Sequence, residues 1–291
     1  MLEHCDILTL EYHVYIQSSL LINEVNMIEY TFYDDPYRFD MDRNNLPALT
    51  EKNVRIINFL IENDSNYRLL DNSLDDSISE TIKKYPYTEK LEEILEIITV
   101  IDRQNSTHLS ATGIPQKEGQ GRNLTASYIC SLSSGFYKSL RKGDPQLVND
   151  IAQNAIGGKR YIFSFASKYC TYMARALFVG DEAEDNYSIF DKIMCDALPY
   201  YAMAYIGKRC IKKKNSNIQE TYATKGKGDY KGYRELIDSI RESAQQNTNA
   251  HYHISRKDFD HLLWYYFKGG FNNSRIESAL NFARKDDSFL L

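Results

Sequence analysis

Two short stretches hold residues able to do chemistry. FSFASKYC (163–170) sets Lys168 among small and aromatic side chains, and YSIFDKIM (187–194) sets Asp191 23 residues further on. A deprotonated amine is a nucleophile, and a carboxylate stabilises positive charge developing beside it. Each residue also has a purely structural explanation. Placed on a helix, residues 164–177 give one apolar stripe of Ala166, Cys170, Met173 and Leu177 and a neighbouring stripe of Phe165, Tyr169, Tyr172 and Ala176. Ser164, Ser167, Lys168, Thr171 and Arg175 remain as a narrow polar face, so periodicity alone makes Lys168 a solvated lysine opposite the core. Ser188-x-x-Asp191 has the form of a capping box, with Ser188 as N-cap and the acid in a first turn where the helix dipole favours it.

Other clusters carry less. His251-Tyr-His253 lies close to Asp258, Asp260 and His261, but without an HExxH or other firm ligand spacing, and we read it as non-metal. No cofactor is expected. KGKGDYKG (225–232) is rich in glycine and lysine, yet it lacks the G-x-x-x-x-G-K-[ST] order and follows no strand, so it is not a P-loop. There is no G-x-S-x-G elbow.

The elements that must position these residues read mostly as helices. Leu8, Leu10, Tyr12, Val14 and Ile16 alternate, which allows one short strand near the start. Helical runs follow from Thr50 and from Thr88, the second with a stripe of Leu91, Ile94, Leu95, Ile98 and Ile101 and with Thr88 as a cap. The polar stretch from Asn105 to Asn123 is aperiodic and reads as a linker or long loop. Helical patterning resumes at Leu124 and breaks near Arg141, and Asp144-Pro145 starts the next helix with an N-cap followed by proline. Gly157-Gly158 ends that helix by accepting left-handed backbone, and a tight connection leads into the helix bearing Lys168. An acidic loop (181–186), a helix from Tyr187, a basic loop and two further helices complete a mainly α chain.

Composition narrows the setting. The 291 residues are enough for a sizeable core and roughly two domains. Five scattered cysteines without a CxxC pair argue for a reducing compartment, and no leader or long apolar run is evident, so a cytoplasmic protein away from membranes is expected. The formal net charge of −5 is unevenly spread: residues 1–100 hold 20 acids against 8 Lys and Arg, and the remainder 20 against 27. A polyanion would therefore sit on the second part of the chain, where the block from Lys208 to Lys231 offers Coulomb attraction and counterion release, although a solvated basic loop has the same composition. The 23 tyrosines suit amphipathic surfaces and base stacking alike.

Taken together, GGKRYIFSFASKYC with Lys168, IFDKIM with Asp191, and DFDHLLW with Asp260 and Trp264 resemble the helix-hairpin-helix DNA glycosylases of the 8-oxoguanine DNA glycosylase fold, including archaeal-type and bacterial defence-associated members. That family has a Gly-containing hairpin whose second helix carries a lysine, an apolar-apolar-Asp about twenty residues later, and in its archaeal members an Asp and a Trp four apart on a late helix. The likeness covers roughly residues 124–270. It departs from the family at the hairpin, where Ser164 and Ala166 stand in place of the usual Gly-x-Gly.

The resemblance implies a two-domain helical fold. Residues 1–110 would be an acidic, mostly helical N-terminal region, and residues 124–291 the helix-hairpin-helix region with a basic insertion at 207–232. Its partner would be double-stranded DNA containing a modified base. Such an enzyme must take the nucleotide out of the stack. Lys168 would attack C1′ as a neutral amine and Asp191 would stabilise the positive charge on the sugar. Asp260 and Trp264 would form the base pocket, and Gly158, Lys159, Arg160 and Ser164 would hold DNA phosphates. Strand cleavage at the abasic site would accompany base removal. The base would be a bulky hypermodified one, as in phage DNA met by a defence enzyme, or an oxidised purine such as 8-oxoguanine. A non-catalytic binder that keeps the fold, and a helical adaptor with an acidic face, are the alternatives of a different class.

Overall fold

A computed structural model describes residues 30–31, 34, 38–42, 44–63, 73–105, 107, 109, 120–158, 160–207, 218–226, 228–248, 252–268 and 276. Within these the chain is mainly α. Its helices are α1 (Glu51–Asn63), α2 (Ser73–Lys84), α3 (Leu91–Asn105), α4 (Gln120–Arg141), α5 (Pro145–Asn154), α6 (Phe163–Leu177), α7 (Lys192–Ile206), α8 (Ile218–Tyr222), α9 (Tyr230–Thr248) and α10 (Arg256–Phe267). A 3-10 turn at Glu182–Asp185 follows α6. Two-residue strands β1 (Tyr30–Thr31) and β2 (Met41–Asp42) pair antiparallel. The alternating segment expected to form a strand, residues 8–16, lies outside the described residues.

The hairpin forms for the reasons its sequence offers. The Asp144 carboxylate accepts from Gln146 N at 3.0 Å, and Pro145 opens α5. Past α5, Gly157 and Gly158 take φ of +59° and +69°, which an L side chain adopts only with strain. Ile162 N then donates to Ala152 O at 3.0 Å and closes the turn. Helix α6 enters behind Ile162, with no side chain capping its first turn.

Helix α6 runs through the middle of the molecule and packs against α2, α3, α4 and α5 and against the 3-10 turn. Helix α1 packs against α10, and α7 against α9 and α10. One continuous apolar cluster joins Val54, Ile57 and Leu60 of α1 and Ile97, Ile98 and Ile101 of α3 to Phe165, Tyr169 and Met173 of α6 and Phe259 and Leu263 of α10. The regions before residue 110 and after residue 124 thus share a core.

Two local expectations are corrected. Leu91 is exposed and Ile97 takes its place in the buried stripe of α3, because the helix begins only at Leu91 and Thr88 accepts from Lys90 N ahead of it. The helix after the acidic loop begins at Lys192, not near Tyr187. Its N-cap is Asp191, whose Oδ1 accepts from Met194 N at 3.0 Å. Ser188 is fully buried in a run without regular secondary structure, with its backbone N–H taken by a tyrosine, so it caps nothing.

Among the described residues no helix is long and apolar enough to cross a membrane. Cys170 is buried as a small core side chain, and Cys130 and Cys195 are half-buried free thiols.

Candidate functional site

A cavity of about 400 Å³ opens between α3, α6, α10 and the segment leading into α7. Lys168, Asp191, Asp260 and Trp264 all line it, as do Ser164, Arg175 and His261. Lys168 Nζ lies 3.6 Å from Asp191 Oδ2, and the two side chains are only 8% and 9% exposed. The sequence pattern makes Lys168 a solvated lysine; the fold corrects this. Helices surround α6, so its polar strip is buried too: Ser167 and Thr171 are inaccessible, and Lys168 is 6% exposed. A buried ion pair recovers its desolvation cost only in good geometry, so it is weak evidence for stability alone.

Residues 187–190 carry the aspartate and have no strand partner. Their backbone polar groups are met by side chains instead. Tyr230 Oη accepts from Ser188 N at 2.7 Å and donates to Ser188 O at 2.8 Å. Tyr233 Oη donates to Ile189 O at 2.6 Å. Asp260 Oδ2 accepts from Ile189 N at 3.1 Å, and Ser167 Oγ accepts from Phe190 N at 3.0 Å. The position of Asp191 is therefore fixed from α6, α9 and α10 at once.

Helix α10 starts at a complete capping box, Ser255 with Asp258. Its first two N–H groups, those of Arg256 and Lys257, also donate to the Asp185 carboxylate at 2.8 and 2.9 Å, tying the helix to the turn after α6. Asp260 is 2% exposed, and its Oδ2 accepts from Arg175 Nη2 at 2.7 Å. Burial pushes its carboxyl up to about 7, against the opposing pull of the Arg175 guanidinium and the Ile189 N–H. Asp260 Oδ1, Arg175 Nε and His261 Nδ1 are buried with no hydrogen-bond partner. Trp264 is partly exposed, with Lys268 Nζ 4.0 Å from its ring centroid.

The candidate phosphate-binding residues fall in two places. Ser164 lines the cavity from the first turn of α6, beside the uncapped N–H groups there. Gly158 and Arg160 lie on the hairpin, Arg160 exposed, and Lys159 lies outside the described residues. The end of the basic insertion comes back onto the same hairpin. Gly226 N donates to Gln153 Oε1 at 3.2 Å, and a Cβ on Gly228 would fall 1.6 Å from Tyr161 Oη, so a larger residue there must displace the Tyr161 side chain. Lys225 is exposed beside this contact.

The sequence assigns no role at this site to Ser167, Arg175, Tyr230, Tyr233 or His261. Arg175 follows Lys168 by seven residues, two helical turns, and that interval sets both on one face. That spacing was the available signal. No comparable signal marks the two tyrosines among 23. Of the histidine and aspartate cluster, Asp258 caps α10, His253 lines a second cavity, Asp260 and His261 line the first, and His251 lies outside the described residues.

The family model HI_0787_N, described as an N-terminal domain, matches residues 53–177, less than half of the chain. The matched span runs from within α1 to the last residue of α6, so it holds Lys168 and Arg175 and ends before Asp191. No curated protein and no solved structure matches the chain.

Proposed function

We propose that the chain is a DNA glycosylase with abasic-site lyase activity, of the helix-hairpin-helix kind, acting on an everted modified base. One observation carries this reading: a buried amine and a buried carboxylate 3.6 Å apart on the wall of a 400 Å³ cavity that also presents an indole and a second carboxylate. In the proposed reaction the flipped base stacks on Trp264, displacing the Lys268 ammonium from any face it shares, and offers its polar edge to Asp260. Lys168 enters as the ammonium partner of Asp191, passes its proton to the departing base, and its Nζ attacks C1′ with the lone pair so freed. The C–N bond to Lys168 forms as the glycosidic bond breaks, and the base leaves with the bonding pair and takes up a proton. Asp191 stabilises the positive charge on the sugar, most strongly because water is largely excluded there. The sugar ring then opens to a Schiff base. Loss of a proton from C2′ expels the 3′ phosphate, and water releases the lysine. Backbone phosphates rest on the hairpin, on the uncapped first turn of α6 and on Arg160 and Lys225.

The cavity volume lies within the roughly 300–1,000 Å³ of pockets that enclose drug-sized ligands. A bare base needs less. Both substrate classes, an oxidised purine and a bulky hypermodified base such as one of invading phage DNA, fit that volume.

The test is incubation with duplexes carrying single modified bases, followed by alkali. Breaks at the modified position that vanish in Lys168→Ala are expected. A gel shift without breaks on any duplex identifies a binder and ends the enzymatic reading.

A further inference from the structure

We infer that His261 is a specificity-determining residue of this site, reading a hydrogen-bonding group on the everted base next to the edge held by Asp260 and Arg175. The inference rests on the glycosylase reading and adds to it the requirement that the substrate carry a polar group at that place. Three observations support it. First, His261 follows Asp260 on α10 and lines the same cavity, and it also lines a second cavity. Secondly, His261 Nδ1 is buried and has no hydrogen-bond partner, and the same is true of Asp260 Oδ1 and Arg175 Nε. Buried polar atoms are normally paired, and these three have no partner within the protein. The three atoms belong to residues that line one cavity, where one ligand edge can satisfy them. Thirdly, the imidazole is held neutral: burial and the nearby Arg175 and Lys257 cations keep its pKa well below the ordinary value. A neutral imidazole has one N–H donor and one bare nitrogen acceptor, so it can read a group rather than simply attract charge.

The chemistry of the three atoms limits the ligand. The Arg175 N–H donates and needs an acceptor. Asp260 Oδ1 accepts when the carboxyl is ionised and donates when it is protonated. A base edge with adjacent N–H and C=O groups, or with an amino or hydroxyl group beside a carbonyl, satisfies them together with His261. A base with only carbon at the His261 position leaves a buried nitrogen unpaired. Sites built to hydrogen-bond a substrate group reject analogues that lack it by large factors.

The test separates base reading from the sugar chemistry. His261→Gln and His261→Leu are compared with the wild type in two assays. One is release of modified bases from a duplex panel of 8-oxoguanine, 5-hydroxymethylcytosine and larger conjugates. The other is borohydride trapping on a duplex with a preformed abasic site, where no base is present. Base release by His261→Leu should fall at least tenfold, with abasic-site trapping within twofold of wild type, and His261→Gln should recover part of the loss or shift the preferred base. Base release within twofold of wild type in His261→Leu overturns the inference and leaves the glycosylase reading intact. Equal loss in both assays makes His261 merely structural and also overturns it. A wild-type protein that neither releases a base nor traps at the abasic site fails the glycosylase reading itself.

Discussion

The Asp191 carboxylate makes two contacts that can be separated. Oδ1 caps α7 through Met194 N, and Oδ2 faces Lys168. Asparagine is as good an N-cap as aspartate but carries no charge, whereas alanine loses the cap, at about 0.5–2 kcal/mol. Asp191→Asn should therefore be the more stable of the two variants in urea denaturation, while base release is equally lost in both. Recovery of base release in the asparagine variant would show that the charge is not used. Asp260 is legible through its proton. In the folded chain its carboxyl titrates near 7, raised from an ordinary 3.8 by burial. The unfolded chain loses that proton first, so the stabilising contribution is complete below about pH 4 and is lost as the pH rises through 7, a range on the order of 4 kcal/mol at most. Wild-type stability should thus decline over this window relative to Asp260→Asn. Parallel pH profiles of the two proteins would contradict the burial argument.

At the level of elements, the site depends on an irregular segment held by side chains. Tyr230→Phe removes both bonds to Ser188 and leaves a buried N–H and C=O unmet, at a cost of about 1–3 kcal/mol. Thermal unfolding should show this loss, and Lys168-dependent strand breaks should weaken with it because the segment sets Asp191. An unchanged Tm would mean that the backbone finds other partners. The same segment shows where sequence patterns stop being informative. Ser188-x-x-Asp191 matches a capping box one turn early, since nothing local reveals that Tyr230 and Tyr233, some forty residues away, take the backbone groups of Ser188 and Ile189 and keep them out of a helix. The hairpin was readable because its causes are local: an Asp-Pro start and paired glycines. Lys168 was misplaced by periodicity because that reasoning assumes one wet side, and α6 has none.

For the whole molecule, the mainly α architecture was legible in the sequence pattern, whereas the meeting of Lys168, Asp191, Asp260 and Trp264 in one cavity was implied only by the resemblance and not by periodicity. The shared core between the first hundred residues and the rest was not legible, because apolar stripes show that a face is buried but not against what. The charge asymmetry bears on binding. A net-acidic protein that docks DNA on its basic second part should lose affinity steeply with salt, with a log–log slope of about −0.9 per phosphate contacted. Reversing Arg160 and Lys225 to glutamate should weaken binding uniformly across sequences and flatten that slope by about one per residue. An unaltered slope would place the DNA elsewhere.

The amine and carboxylate meeting in one cavity is the claim on which the rest depends. Borohydride reduction of the reaction on a modified duplex, followed by peptide mapping of the cross-link, interrogates it directly. A covalent adduct on Lys168 that disappears in Lys168→Ala and Lys168→Gln is the predicted result. An adduct on another residue, or one that persists at full yield in those variants, would contradict the account.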